Sequence, residues 1–248
     1  MTDPPSKVVI SGDGTPIALF GAGQGPPVIV VHGAAADHTT WRVSGPRLAL
    51  RHTVWGVDRR GRGASGDTAP YEVEREFEDV AAVADVLAAE SGGGVPVVGH
   101  SFGGRVALGA ALRSASIAAV VSYEGAPAPA GQSYQAHDLA ARLETLRDEG
   151  RNEELLETFL REVVGMGRDD LGAYRANPVW PARVAAAPTI VREIRAEAAP
   201  AAGLEALGRV VVPVLQVLGG DSLPVFGLAT RALDARLRDG RMVVIDGA

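Results

Sequence analysis

Cysteine is missing altogether, which excludes disulfides, thiolate nucleophiles and cysteine-based zinc sites. Long apolar runs are missing too. None approaches the ~20 residues that span a membrane, and the opening MTDPPSKVVISGDG lacks the apolar segment of a signal peptide. The expectation is a cytoplasmic protein with no membrane partner. There is no basic run either: the net charge is −6 and the pI about 5.4, which argues against nucleic acid as a partner. Histidine is sparse. The five are His32, His38, His52, His100 and His137. No two of them have ligand spacing within one helix or turn, so no metal site is expected.

What is present is apolar: 46% of 248 residues, enough for a sizeable core in one large domain or one domain with an insert. Short apolar runs on either side of Asp13-Gly14 predict an opening hairpin. Val28 to Val31, residues 53–57, 96–98, 117–123, 210–218 and 241–245 read as strands. The continuous apolar ones suit a parallel sheet buried on both faces. Helices are expected at 41–50, at 74–90, after Ser101, and at 230–237. From Ala126 the rhythm changes. Helical patterns at 135–150, 152–164, 169–176 and 181–197, the last broken at Pro188, follow one another with no strand between them. The expected organisation is a core in two parts, 1–126 and 209–248, around a helical insert, 127–208.

The motif carrying chemistry is Gly99-His100-Ser101-Phe102-Gly103, a G-x-S-x-G string between an apolar run and a helical run. A sharp strand-to-helix turn strains the serine backbone and needs glycine where the chain crowds. The helix then starts behind the serine and aims free N–H groups at charge developing there. The competing reading is an ordinary glycine turn. A second string, Gly61 to Gly66, matches G-x-G-x-x-G. A dinucleotide turn would need a helix at once, and Asp67-Thr68-Ala69-Pro70 follows instead. No cofactor is expected, and that stretch reads as a solvated loop with its arginines outward.

VVHGAA (residues 30–35), DRRGRGAS (58–65), GHSFGG (99–104) and LGGDS (218–222), in that order and spacing, make the chain resemble the α/β-hydrolase superfamily. The branch is its serine-nucleophile, esterase-like one with a helical lid. The resemblance implies a mostly parallel α/β sheet with helices on both faces, a nucleophilic Ser101, and an oxyanion hole from the backbone N–H groups of Ala34 and Phe102. It implies an acid after a late strand, Asp221, with Glu124 as the alternative because it too ends a strand. Serine at the turn, where the dehalogenase and epoxide-hydrolase branches carry a carboxylate, argues against those. Trp180 is a candidate for lining the acyl pocket, or else packs within the lid.

One part is out of pattern. The family's base is a histidine just after the final strand, and none of the five follows Asp221. The expectation is that this histidine, and the last helix with it, lie beyond Ala248. The implied activity is hydrolysis of a carboxylic ester or related small carbonyl substrate through an acyl-enzyme. The alternative is a ligand-binding or weakly active protein on the same fold, inactive in this form for want of the base. Other carbonyl chemistry, such as perhydrolysis, would use the same parts.

Overall fold

The computed structural model describes residues 4–247. In chain order the elements are β1 (Lys7–Ile10), β2 (Pro16–Ala22), β3 (Pro27–Val31), α1 (Gly45–Leu48), β4 (Thr53–Val57), α2 (Val73–Ser91), β5 (Val95–His100), α3 (Phe102–Ala111) and β6 (Ile117–Tyr123). Six helices follow: α4 (Leu139–Asp148), α5 (Asn152–Glu162), α6 (Arg168–Arg175), α7 (Trp180–Ala186), α8 (Pro188–Ala196) and α9 (Leu204–Leu207). The chain then returns through β7 (Val214–Gly219), α10 (Pro224–Asp234) and β8 (Gly240–Ile245).

The eight strands form one sheet in the order β1-β2-β4-β3-β5-β6-β7-β8. β1 pairs antiparallel with β2, and β2 with β4; every other pair is parallel. β3 has four valine or isoleucine residues, all 5% exposed or less, as a strand covered on both faces requires. α2 brings Phe77, Val80, Ala84 and Leu87 to the sheet at helical spacing and stops where Gly92 turns left-handed at φ 75°. The helices between β6 and β7 have a core of their own, built on Leu139, Leu155, Phe159 and Ile190, which also takes in Ala35 from the loop after β3.

Two expectations shift. The helix expected over 41–50 is a 3₁₀ segment, His38–Arg42, then the four-residue α1. Pro46 cannot donate and its ring crowds the carbonyl four residues back, so the turns do not join. The late helix starts earlier than its pattern, at Pro224 in the first turn, where a missing N–H costs nothing. β8 lies at the sheet edge, with Met242, Val243, Val244 and Ile245 exposed.

Candidate active site

The strand order reverses at β3, with β4 on one side and β5 on the other. In parallel sheets of this kind ligands bind at the carboxyl ends of the strands, at that reversal. Val31 is in register with Gly99, so the two loops that follow, 32–35 and 99–103, meet over one crevice.

Ser101 occupies the turn with φ 52° and ψ −127°, a conformation non-glycine residues rarely adopt. Its surroundings impose it. A Cβ on Gly99 would lie 2.2 Å from the Gly103 carbonyl oxygen, and one on Gly103 would lie 2.3 Å from that of His32. These glycines let β5, α3 and the loop after β3 approach backbone to backbone. Gly103→Ala is therefore expected to destabilise the fold by about 3 kcal/mol, a Tm loss of roughly 6–12 °C, readable in a thermal melt.

Ala34 and Phe102 both line the cavity that Ser101 lines. Phe102 is the first residue of α3, so its N–H has no partner within the helix. Neither N–H donates to a carbonyl or a side chain among the described residues. Gly33 holds Ala34 in place: a Cβ there would lie 3.1 Å from that of Ser101. His32 is fully buried and braces this loop. Its Nε2 accepts the Arg59 N–H at 3.1 Å, so Nδ1 carries the proton and donates to the Gly33 carbonyl at 2.8 Å. Burial, with the Arg59 and Arg62 charges nearby, holds its pKa well below the usual imidazole range, and it stays neutral.

The arginines expected to face outward do not. Arg59, Arg60 and Arg62 are 0–2% exposed. Buried guanidinium groups must be paired, and the partners come from distant elements. Arg59 donates to Glu76 of α2 at 2.6 and 2.9 Å, to Glu193 of α8 and to the Gly33 carbonyl at 3.1 Å. Arg62 joins the same two carboxylates. Arg60 pairs with Asp79 at 2.7 Å and Asp13 at 3.0 Å. The stretch is thus a buried ionic clamp tying the loop after β3 to the sheet and to the helical layer. A signal for it existed. Glu76 and Glu193 sit among apolar residues on the inner faces of α2 and α8, and a carboxylate there calls for a cation.

The cavity over Ser101 is lined by Ala34, Phe102, Arg105, Glu124, Phe159 and Glu193, among others. Its open volume is about 40 Å³, room for about three waters. Asp221 is not among its lining residues; it is exposed and makes no hydrogen bond among the described residues. Of the two candidate acids, the one that lines the cavity is Glu124. It directly follows β6 with a left-handed φ of 54°, and its Oε1 accepts the Gly219 N–H at 3.0 Å and the Ser222 hydroxyl. Oε2 makes no hydrogen bond to the described residues. The turn after β7 therefore contributes a serine that holds the glutamate, in place of the expected aspartate. Trp180 is likewise elsewhere: it is 7% exposed in the helical core, donating from Nε1 to Glu153 at 2.9 Å and edge-on to Tyr174.

No histidine hydrogen-bonds Ser101 among the described residues. His38 pairs with Asp58 at 2.8 Å and lines a different cavity. His100 is tilted against Tyr123, and burial lowers its pKa, opposed by Glu124. His137 is exposed. No helix is long and apolar enough to cross a membrane among the described residues, and no cluster of metal-ligating side chains occurs among them.

A model of the alpha/beta hydrolase family matches residues 28–248. The crystal structure of an alpha/beta hydrolase from Sphaerobacter thermophilus DSM 20745 is 33% identical with a TM-score of 0.83, over 96% of this chain and 91% of that one. An esterase from Exiguobacterium antarcticum, 20% identical at a TM-score of 0.72 over 96% and 90% of the two chains, shares the fold. The 2-hydroxymuconate semialdehyde hydrolase of Pseudomonas sp. (strain CF600) is 33% identical over 100 residues, 38% of this chain and 34% of that protein. An uncharacterized Mycobacterium tuberculosis protein is 38% identical over 88 residues, 35% of this chain and 25% of its own length, so the chain spans only part of the curated relatives it matches. With the match over residues 28–248 and the Sphaerobacter likeness over nearly the whole length, the chain belongs to the alpha/beta hydrolase family.

Proposed function

We propose that the protein hydrolyses a small carboxylic ester or related carbonyl compound through Ser101. The observation that carries this reading is the strained Ser101 turn in one cavity with Ala34 and Phe102, whose backbone N–H groups have no hydrogen-bond partner among the described residues. The Ser101 hydroxyl attacks the carbonyl carbon, and the two N–H groups take the charge that collects on its oxygen. The bond to the leaving alcohol breaks and an acyl-serine remains. Water then attacks the acyl carbon, releasing the acid and restoring the hydroxyl. A base must take the serine proton and pass it to the leaving oxygen; by the family resemblance it is an imidazole. Glu124, which lines the same cavity with its Oε1 held by Gly219 and Ser222, would orient that base. The helices between β6 and β7 act as the lid.

Two expected results separate the carboxylates. Glu124→Ala lowers kcat by about 10⁴-fold, the scale seen when a triad acid is removed. Asp221→Ala, at an exposed site, changes it by less than about threefold. Steady-state rates with p-nitrophenyl acetate test both, and the reverse order would reinstate Asp221. The cavity's 40 Å³ also favours short acyl groups: acetyl esters are expected to exceed octanoyl esters at least about tenfold in kcat/KM.

A second reading, ligand binding without turnover, draws on the lack of an imidazole hydrogen-bonded to Ser101 among the described residues. Saturable binding of a short ester with no alcohol released would favour it.

A further inference from the structure

Arg105 sits one helical turn beyond Ser101 on α3 and is 4% exposed. The buried arginines of the loop after β4, Arg59, Arg60 and Arg62, each meet a carboxylate head-on. Arg105 does not. Its Nη2 donates to the Ala126 carbonyl at 3.4 Å, and its Nη1 stands 3.5 Å from Glu197 without making a hydrogen bond. Both Nε and Nη1 are buried and without a hydrogen-bond partner among the described residues. A buried cation with two idle donors is costly unless something else completes it.

Its surroundings say where that something lies. Arg105 lines the Ser101 cavity and also an outer recess; Tyr134, Gln135, Ile194 and Glu197 are common to both. Arg105 thus stands at the neck between the recess and the serine. Two further buried oxygens in the cavity wall, Gln135 Oε1 and Glu193 Oε2, also have no protein partner among the described residues. Of the carboxylates here, Glu193 is committed through Oε1 to Arg59 and Arg62, and Glu197 reaches Arg105 only as a long ion pair at 3.5 Å through Nη1, which leaves Nε without a partner among the described residues.

Building on the reading of Ser101 as the nucleophile, we infer that Arg105 is a specificity-determining residue: it holds a carboxylate on the substrate, which is therefore an acidic ester or related acyl compound. The acyl carbonyl lies at Ser101 while the substrate's own carboxylate receives the Arg105 donors at the neck. Such charge-assisted hydrogen bonds in a water-poor site are the strong ones.

Binding tests this independently of turnover. In the Ser101→Ala protein, monomethyl succinate is expected to bind about 10–100-fold more tightly than methyl butyrate by calorimetry. Arg105→Met should bring the ratio close to one, and Arg105→Lys should keep part of it. With Ser101 intact, p-nitrophenyl hemisuccinate should outrun p-nitrophenyl butyrate by a similar factor in kcat/KM. If Arg105 only braces the Ala126 turn, its substitution weakens both ligands alike and the wild-type ratio is already near one; either result overturns the inference. Should Arg105→Met fail to fold, the ratio in the Ser101→Ala background and in Arg105→Lys still decides. A binding ratio with no ester turnover would keep the Arg105 site and reject the hydrolase reading; turnover without the ratio would do the opposite.

Discussion

Ser101→Ala is expected to lower ester turnover on the order of 10⁶-fold, the loss found when the serine of a catalytic triad is removed. The size follows from what the serine does. On the proposed mechanism no acyl-enzyme can form without its oxygen, whereas the proposed oxyanion donors, the N–H groups of Ala34 and Phe102, survive the substitution and would still polarise a bound carbonyl. Residual catalysis of about 10³–10⁴ over water is what such a hole and binding alone retain. Substrate affinity should change little, because one hydroxyl is lost from the cavity wall. Alanine also replaces serine in the left-handed turn at φ 52° with a Cβ of the same kind, so the strain is unchanged and the melt should move by less than about 2 °C. A variant that kept its activity would remove Ser101 from the mechanism.

The second large effect is on stability. Glu76→Ala is expected to cost about 3–5 kcal/mol, since it leaves Arg59 and Arg62 buried with one carboxylate between them. For a domain of this size that is roughly 6–20 °C in Tm. The exposed pair Arg75–Glu78, at 39% and 35% side-chain exposure, supplies the contrast: Glu78→Ala should cost less than about 1 kcal/mol. The same clamp sets an acid limit. Burial alone would raise the Glu76 carboxyl, but Arg59 and Arg62 outweigh it and hold it well below the usual carboxylate range. Asp13, despite the opposing effect of burial, is lowered to about 2 by Thr15 and Arg60. A carboxyl lowered in the folded state stabilises it above the unfolded pKa, about 4, and that contribution fades as pH falls toward the folded value. Melts should therefore be flat in their Glu76 and Asp13 contributions above about pH 5 and decline below pH 4. Glu76→Ala should show a shallower decline than the wild type.

Much of the scaffold was legible in the sequence because local chemistry and tertiary role agree there. The apolar run over 117–123 is β6 with the same bounds, and Pro188 separates α7 from α8 as expected. The strained turn at Ser101 was legible because glycine spacing reports backbone crowding directly. The buried arginines were not, since an arginine is buried only when its partners are, and Glu76 and Glu193 lie 17 and 134 residues from Arg59. The acid was half legible. Both Glu124 and Asp221 lie just after a strand, and only the fold decides which of them lines the cavity. Trp180 illustrates the same point: its aromatic bulk fits a pocket or a core equally well, and Glu153 and Tyr174 place it in the core.

The account rests on Ser101 being an activated nucleophile, and the most direct measurement is covalent. The protein is treated with a fluorophosphonate, digested, and mapped by tandem mass spectrometry, with Ser101→Ala treated alongside. The account predicts one phosphonyl adduct per chain, on Ser101, and none on the variant. An unlabelled protein, or an adduct on another residue in both proteins, would contradict it.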